Sequence, residues 1–162
     1  MDRIGRRAFV WLCVAAMGCR YGIGGFLPDH LHSISIPPVT IDGADVPASL
    51  EAETVLTEAL RDAFVQDNSL TVLPGRRGDS RLDVTLSSYE IVEGAEGTDL
   101  SLRVGFLFRD AVRGVDLASS SDVEGTVAIK GSGDDEGAVA LALESLADEL
   151  ATEIVSSTVR GW

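Results

Sequence analysis

The chain is short of cations. Its 162 residues hold 13 lysines and arginines against 26 aspartates and glutamates, a formal net charge of −13, and Lys130 is the one lysine. Such a chain is repelled by nucleic acid and by anionic membrane surfaces unless its few cations are clustered, which excludes nucleic-acid binding as its function. Cysteine occurs twice, at Cys13 and Cys19, and histidine twice, at His30 and His32. No serine sits in a G-x-S-x-G nucleophile elbow, and no enzyme signature is present. The apolar run from Ala8 to Met17 is about half of the roughly 20 residues a membrane-spanning helix needs. What the chain does have is a 45% hydrophobic content over a length that suits one domain with a real core.

The opening MDRIGRRAFVWLCVAAMGC has the three parts of a secretory signal: Arg3, Arg6 and Arg7, the apolar run, then small residues before a cysteine. Ala16, Met17 and Gly18 lead straight into Cys19, which looks like a bacterial lipobox. Gly18 fits that pattern and Ala16 stands where leucine is usual. The plainer alternative is an N-terminal helix with a buried cysteine. On the lipobox reading residues 1–18 are a signal peptide, Cys19 is lipidated and becomes the first mature residue, and Cys13 is lost, so no intramolecular disulfide can form. Removing Arg3, Arg6, Arg7 and Asp2 leaves 10 basic and 25 acidic residues, a net charge of −15. Acyl chains anchor stably when there are two or more, each buried CH2 contributing about 0.8 kcal/mol. Arg20, after the cysteine, is compatible with export to the outer membrane.

Residues 19–31 read as a lipidated tether, and residues 32–162 as a single domain. HSISIPPV alternates, with Ile34 and Ile36 on one face, until Pro37 and Pro38 stop the strand, and a loop runs on to Pro47. From Ser49, a plausible N-cap, the spacing is helical: Ala52, Leu56, Ala59, Leu60, Ala63 and Phe64 form a stripe. Glu51, Glu53, Glu58, Arg61 and Asp62 take the other side, and the helix ends near Asp67 and Asn68. LTVLP follows as a strand, so strand, helix and strand make a parallel crossover unit. Leu82, Val84 and Leu86 alternate and then shift phase to Tyr89 and Ile91, as a bulge would produce. LSLRVGFLF places Leu100, Leu102, Val104, Phe106 and Phe108 inward. Val115 to Lys130 is a further antiparallel strand that SSSD interrupts before Val123, Val127 and Ile129. GSGDDEG opens a long helix with Val139, Leu143, Leu146, Leu150 and Ile154 on one stripe. Leu141, Ala142, Ala147 and Ala151 widen that stripe, and Gly161 caps the helix. The expected class is α+β: a two-layer sandwich with a mixed four- to five-stranded sheet and two helices packed on one face. Thr85, Ser87, Ser101, Arg103, Arg109, Thr126 and Lys130 are left on the open face.

Several motifs have a plain reading beside the functional one. His30 and His32, two apart with Asp29 nearby, lack the ligand shell a metal needs and read as surface residues where the first strand begins. KGSGDDEG resembles a phosphate-binding loop at a helix start. Asp134, Asp135 and Glu136 already occupy that helix terminus, which favours capping. The run does not follow a calcium-loop pattern. Arg77, Gly78 and Asp79 spell an adhesion tripeptide that a polar turn explains equally well. The scarce cations are more informative. Arg76, Arg77 and Arg81 lie around one loop, Arg103 and Arg109 on one strand face, and Lys130 near a strand end. Such residues form either a site for phosphate or carboxylate or simply a set of solvated charges, and the sequence leaves both readings open.

The chain resembles the lipopolysaccharide-assembly lipoprotein family, LptE. The resemblance is carried by GCRYGIGG, LPDHLHSISIPPV, LTEALRDAFVQDNSLTVL, DLSLRVGFLF and LADELATEIVSSTVRGW, which together span nearly all of the mature chain. It implies two helices on a mixed sheet, no catalysis and no cofactor beyond the lipid on Cys19. It also implies a periplasm-facing lipoprotein of the outer membrane that plugs the β-barrel LptD, helps it fold and assists lipopolysaccharide delivery to the cell surface. Arg76, Arg77, Arg81, Arg103, Arg109 and Lys130 are then the candidate contacts to the barrel or to lipopolysaccharide. A lipid-anchored periplasmic scaffold or binding module, serving another envelope protein or polymer, is the alternative of a different class.

Overall fold

The computed structural model describes residues 27–42, 50–75, 77–94, 97–131 and 133–160. The signal segment, Cys19, Ser49, Arg76 and the Gly161 cap lie outside the described residues. In chain order the elements are β1 (Ser33–Ser35), β2 (Thr40–Ile41), α1 (Leu50–Asp67), β3 (Thr71–Val72), β4 (Ser80–Gly94), β5 (Gly97–Asp110), β6 (Val115–Ile129) and α2 (Glu136–Val155). A π-helical turn, Ser156–Arg160, extends α2.

The six strands form one mixed sheet in the order β3-β1-β4-β5-β6, with β2 on β4 farther along. β1 pairs in parallel with β3 on one side and β4 on the other, so the strand-helix-strand unit is a parallel crossover, as its order implies. β4, β5 and β6 are antiparallel. The α+β two-layer class therefore holds. The sheet gains a strand because Pro37 and Pro38 break β1 without ending its course along β4. β2 resumes there, pairing Thr40 with Thr85 and Ile41 with Leu86. Partners on α1 tie down the break: Val39 N–H donates to Thr57 Oγ1 at 3.0 Å, and Arg61 Nη2 donates to the Ile36 carbonyl at 3.0 Å.

The inward set of β5, Leu100 to Phe108, is buried, as are Leu82, Val84 and Leu86 of β4. The phase shift before Tyr89 is a β-bulge: Leu86 pairs with Val104 and Ser88 with Arg103, leaving Ser87 extra. SSSD makes a second bulge, with Ser121 and Asp122 opposite Gly105, between the pairs Val104 with Val123 and Phe106 with Ser120. On α1, Ala52, Leu56, Leu60 and Phe64 are almost fully buried. The helix stops where expected because Asn68 turns left-handed (φ 57°) while its N–H still reaches the Phe64 carbonyl at 3.1 Å. Asp135 caps α2, its carboxylate accepting from the N–H groups of Gly137 and Ala138. Leu143, Leu146, Leu150 and Ile154 face the core with Ala142, Ala147 and Ala151. Leu141 is a correction: it is 69% exposed, since the 3.6-residue repeat carries it to the edge beyond the stripe's width.

Strand register gives the domain two distinct ends. Ile34, Ser80, Asp110 and Val115 line up at one, and Gly94, Gly97, Thr98 and Ile129 mark the other. Both helices run from the second end to the first. Their N-terminal turns share a cleft lined by Glu51, Val55, Leu143 and Glu144, and their C-terminal ends are joined by Arg160 Nη2 to Asp67 Oδ1 at 2.9 Å.

Candidate functional site

The helix-free face of the sheet is a polar surface whose cations are already paired. Arg81 and Arg109 are direct register partners on β4 and β5. Like charges so placed repel, and each is answered by an acid: Arg81 Nε lies 2.9 Å from both Asp83 oxygens, and Arg109 Nε 2.6 Å from Asp116 Oδ1. Farther along, Arg103 bridges Asp122 at 3.0 Å and Glu124 at 3.1 Å. Hydrogen bonding to these carboxylates holds all three guanidiniums above their ordinary pKa, with Glu124 the main partner of Arg103. Thr40 with Thr85, and Ser101 with Thr126, add hydroxyl pairs between the ion pairs. The face thus presents alternating charge with little net attraction for a simple anion. It can hydrogen-bond to a polar wall, because each exposed carboxylate or guanidinium keeps unused lone pairs or N–H groups.

Arg77 belongs to a second arrangement, at the end of the sheet where the chain enters the described domain. It is exposed and has no ion pair among the described residues. A cleft of about 700 Å3 opens here, lined by Arg61, Arg77, Arg81, Pro37, Pro38 and Val112 among others, with no aspartate or glutamate in its walls. Arg61 was expected on the solvent side of α1. It instead reaches under β1, and its Nε is buried without a hydrogen-bond partner. Lying one turn after Thr57 and beside Leu60, it sits on the boundary of the apolar stripe, a position that sequence spacing does not resolve. Lys130 stands apart from the other cations: it follows Ile129, whose register partner is Thr98, at the opposite end of the domain. The structure therefore brings Arg81 and Arg109 together, sets Arg103 farther up the same face, places Arg77 at the cleft and separates Lys130 from all of them.

His30, the His32 backbone and the Gly78-Asp79 part of the RGD run serve the fold. His30 Nε2 lies 2.7 Å from Oδ2 of Asp110, a residue only 1% exposed. Burial pushes the Asp110 carboxyl up, but the N–H of Arg113, the bond from His30 and the N–H of Val112 outweigh it and hold the group below its ordinary range. Asp79 turns inward to accept from the Ser33 hydroxyl and the His32 N–H, which likewise lower its pKa. Gly78 is required beside it: a Cβ there would lie 2.9 Å from Ile34 C and Ser35 N. No group of histidine, cysteine, aspartate and glutamate fit to hold a metal occurs among the described residues. No helix among them is long and apolar enough to cross a membrane.

With this geometry in hand, comparison with known proteins gives a consistent fold and a family. The model of the LptE family, described as lipopolysaccharide-assembly, matches residues 31–158. No curated relative matches the sequence. Among solved structures, protein XCC0632 from Xanthomonas campestris is similar with a TM-score of 0.60 at 16% identity, over 83% of this chain and 89% of that one. Protein CT253 from Chlamydia trachomatis gives 0.60 at 11%, over 80% and 98%. A point variant of PelC, a dodecamer from Paraburkholderia phytofirmans, gives 0.58 at 14%, over 85% and 93%. At these identities the likeness is one of fold.

Proposed function

The chain belongs to the LptE family of lipopolysaccharide-assembly proteins, and from that membership we propose that it is an outer-membrane lipoprotein that plugs the barrel LptD and supports its assembly in lipopolysaccharide transport. The observation that carries the reading is the span of the match, residues 31–158, which takes in all six strands and both helices. In this reading residues 1–18 are removed, Cys19 carries the lipid, residues 19–31 form the tether and residues 32–162 form the domain that meets the barrel. The protein acts by contact, without chemistry of its own.

The open sheet face supports this role physically. A large outer-membrane barrel has a polar interior, and a face of paired charges and hydroxyls can exchange hydrogen bonds with it without leaving an unmatched charge buried. Arg81, Arg103 and Arg109, with their acids, are the contact residues on that face. Arg76 and Arg77 are the further candidate contacts, and at the exposed Arg77 a barrel carboxylate or a lipopolysaccharide phosphate would meet a guanidinium without an ion pair among the described residues. Tethering raises the local concentration of the domain at the membrane, so individual contacts can be weak.

Depletion of the protein in its own cells tests the function. The expected outcome is a fall in the amount of folded barrel and in lipopolysaccharide at the cell surface, reproduced by Cys19→Ser if the anchor is needed for placement. Normal barrel yield together with normal surface lipopolysaccharide would overturn the assignment.

A further inference from the structure

The described cations gather at one end of the domain, and that end is where the chain enters from its tether. Arg77, Arg81, Arg109 and Arg113 all lie at the row of Ser80, Asp110 and Val115, where His30 is pinned to Asp110 and the His32 N–H to Asp79. The opposite end carries Lys130 alone among the described cations, and Glu51, Glu93, Asp134, Asp135 and Glu136 lie there. Several acids of the tethered end are engaged, whereas Asp29, Asp62 and Asp148 have no ion pair among the described residues. Asp79 and Asp110 accept hydrogen bonds from within the fold, while Asp83 and Asp116 pair with Arg81 and Arg109. Arg77 and Arg113 remain without an ion pair among the described residues. The acid-free cleft of Arg61, Arg77 and Arg81 opens at the same place, beside Val112, which is 65% exposed.

We propose that this end is a membrane-facing site in which Arg61, Arg77, Arg81 and Arg113 receive the phosphate of an anionic phospholipid headgroup. The inference rests on the anchor at Cys19 and concerns the lipidated chain in the absence of the barrel, since Arg77 and Arg81 are also the barrel contacts proposed above. Leu27 lies eight residues after Cys19, a reach of at most about 29 Å for extended chain. The lipid therefore holds this end close to the bilayer. A mature chain of net charge −15 is repelled from an anionic surface in most orientations. At the tethered end the acid-free cleft and the unpaired Arg77 and Arg113 offer a local patch of the opposite sign, so that patch and the tether favour the same orientation. Guanidinium forks suit a phosphate, and the cleft brings Arg61, Arg77 and Arg81 together with no carboxylate in its lining. The acidic end then points away from the membrane.

Trypsin reads this orientation directly, because Arg77, Arg113 and Lys130 each precede a glycine at an exposed position. The lipidated protein would be recovered from cell membranes and reconstituted in vesicles of phosphatidylcholine alone or with added phosphatidylglycerol. Cleavage products would be followed by mass spectrometry. In anionic vesicles cleavage after Arg77 and Arg113 should slow by about fivefold, the factor expected for one basic residue held at an anionic surface, with cleavage after Lys130 unchanged. Replacing Arg81 and Arg113 together by glutamine should return the rate at Arg77 toward its value in neutral vesicles. Equal rates in both vesicle types, or equal protection at Lys130, would overturn the proposal. Protection by inorganic phosphate added to neutral vesicles would replace the headgroup with a free anion and overturn the membrane assignment. A chain that floats with neither vesicle type removes the anchor, and this proposal falls with it, whereas loss of the barrel assignment would leave these rates untouched.

Discussion

Gly125 offers the sharpest test of how the two layers meet. It pairs with Leu102 on the helix-facing side of β6, and a Cβ added there would lie 2.7 Å from Leu146 Cδ1 and 3.2 Å from Leu150 Cδ2. Carbon atoms in favourable contact sit about 3.5–4.0 Å apart, so in Gly125→Ala either α2 withdraws or Leu146 leaves its rotamer. Both leucines are 1% exposed or less, so neither can swing out to solvent. Overpacking of this kind costs about 1–3 kcal/mol. Relief of glycine's conformational entropy returns about 0.5–1 kcal/mol. The expected net loss is therefore between about 0 and 2.5 kcal/mol, centred near 1, measured by urea unfolding of the mature chain followed by circular dichroism. The decisive arm is Leu146→Ala, which alone should cost about 2–5 kcal/mol by leaving a cavity. In that background the added methyl has room, so Gly125→Ala should cost almost nothing and the two changes should couple by at least about 1 kcal/mol. A stabilised Gly125→Ala chain, or the same loss in both backgrounds, would refute the close approach of α2 to β6.

Three further outcomes are expected. Gly78→Ala should cost more than Gly125→Ala, about 3 kcal/mol, because the obstructing atoms are backbone of β1, whose Ile34 is fully buried; a loss below that of Gly125→Ala in the same urea titration would contradict this. Asp79 and Asp110 have lowered pKa values, so their contribution is complete above the ordinary carboxylate pKa of about 3.9 and is lost as pH falls through their folded values. The urea midpoint should hold from pH 7 to about 5 and then decline, less steeply in Asp79→Asn, and an identical decline in that variant would count against the assignment. Arg103→Ala breaks exposed pairs and should leave the urea midpoint almost unchanged, with any effect shrinking in salt. If it weakens barrel association in a pull-down while unfolding normally, the loss belongs to the interface.

Periodicity made most of the scaffold legible in the sequence. Strict alternation located β5, the phase shift before Tyr89 located the bulge at Ser87, and the stripe of α1 ended where Asn68 adopts a left-handed turn. Each of these is a local rule, set by neighbours within a few residues. What the sequence did not reveal depends on partners far along the chain. Pro37 and Pro38 looked like a stop, because nothing local shows that Thr57 and Arg61 would satisfy the freed backbone groups and let β2 resume. Arg61 looked like a solvated charge for the same reason. The cations of the candidate surface were identified as residues, but their neutralisation was not foreseen: Arg103 meets Asp122 and Glu124 only after β6 folds back beside β5. Lys130 was grouped with them by residue type, and the register of β6 puts it at the other end.

The central claim is that this domain sits against an outer-membrane barrel, and crosslinking in living cells tests it most directly. A photoreactive residue would replace Leu107, which lies on the open face between Asp83 and Ser119. Captured partners would be extracted from outer membranes in detergent and identified by mass spectrometry. The account predicts that a large β-barrel is captured and that its abundance falls when this protein is depleted. Capture of soluble periplasmic proteins or cell-wall material alone, with no barrel, would contradict it and favour an anchored binding module.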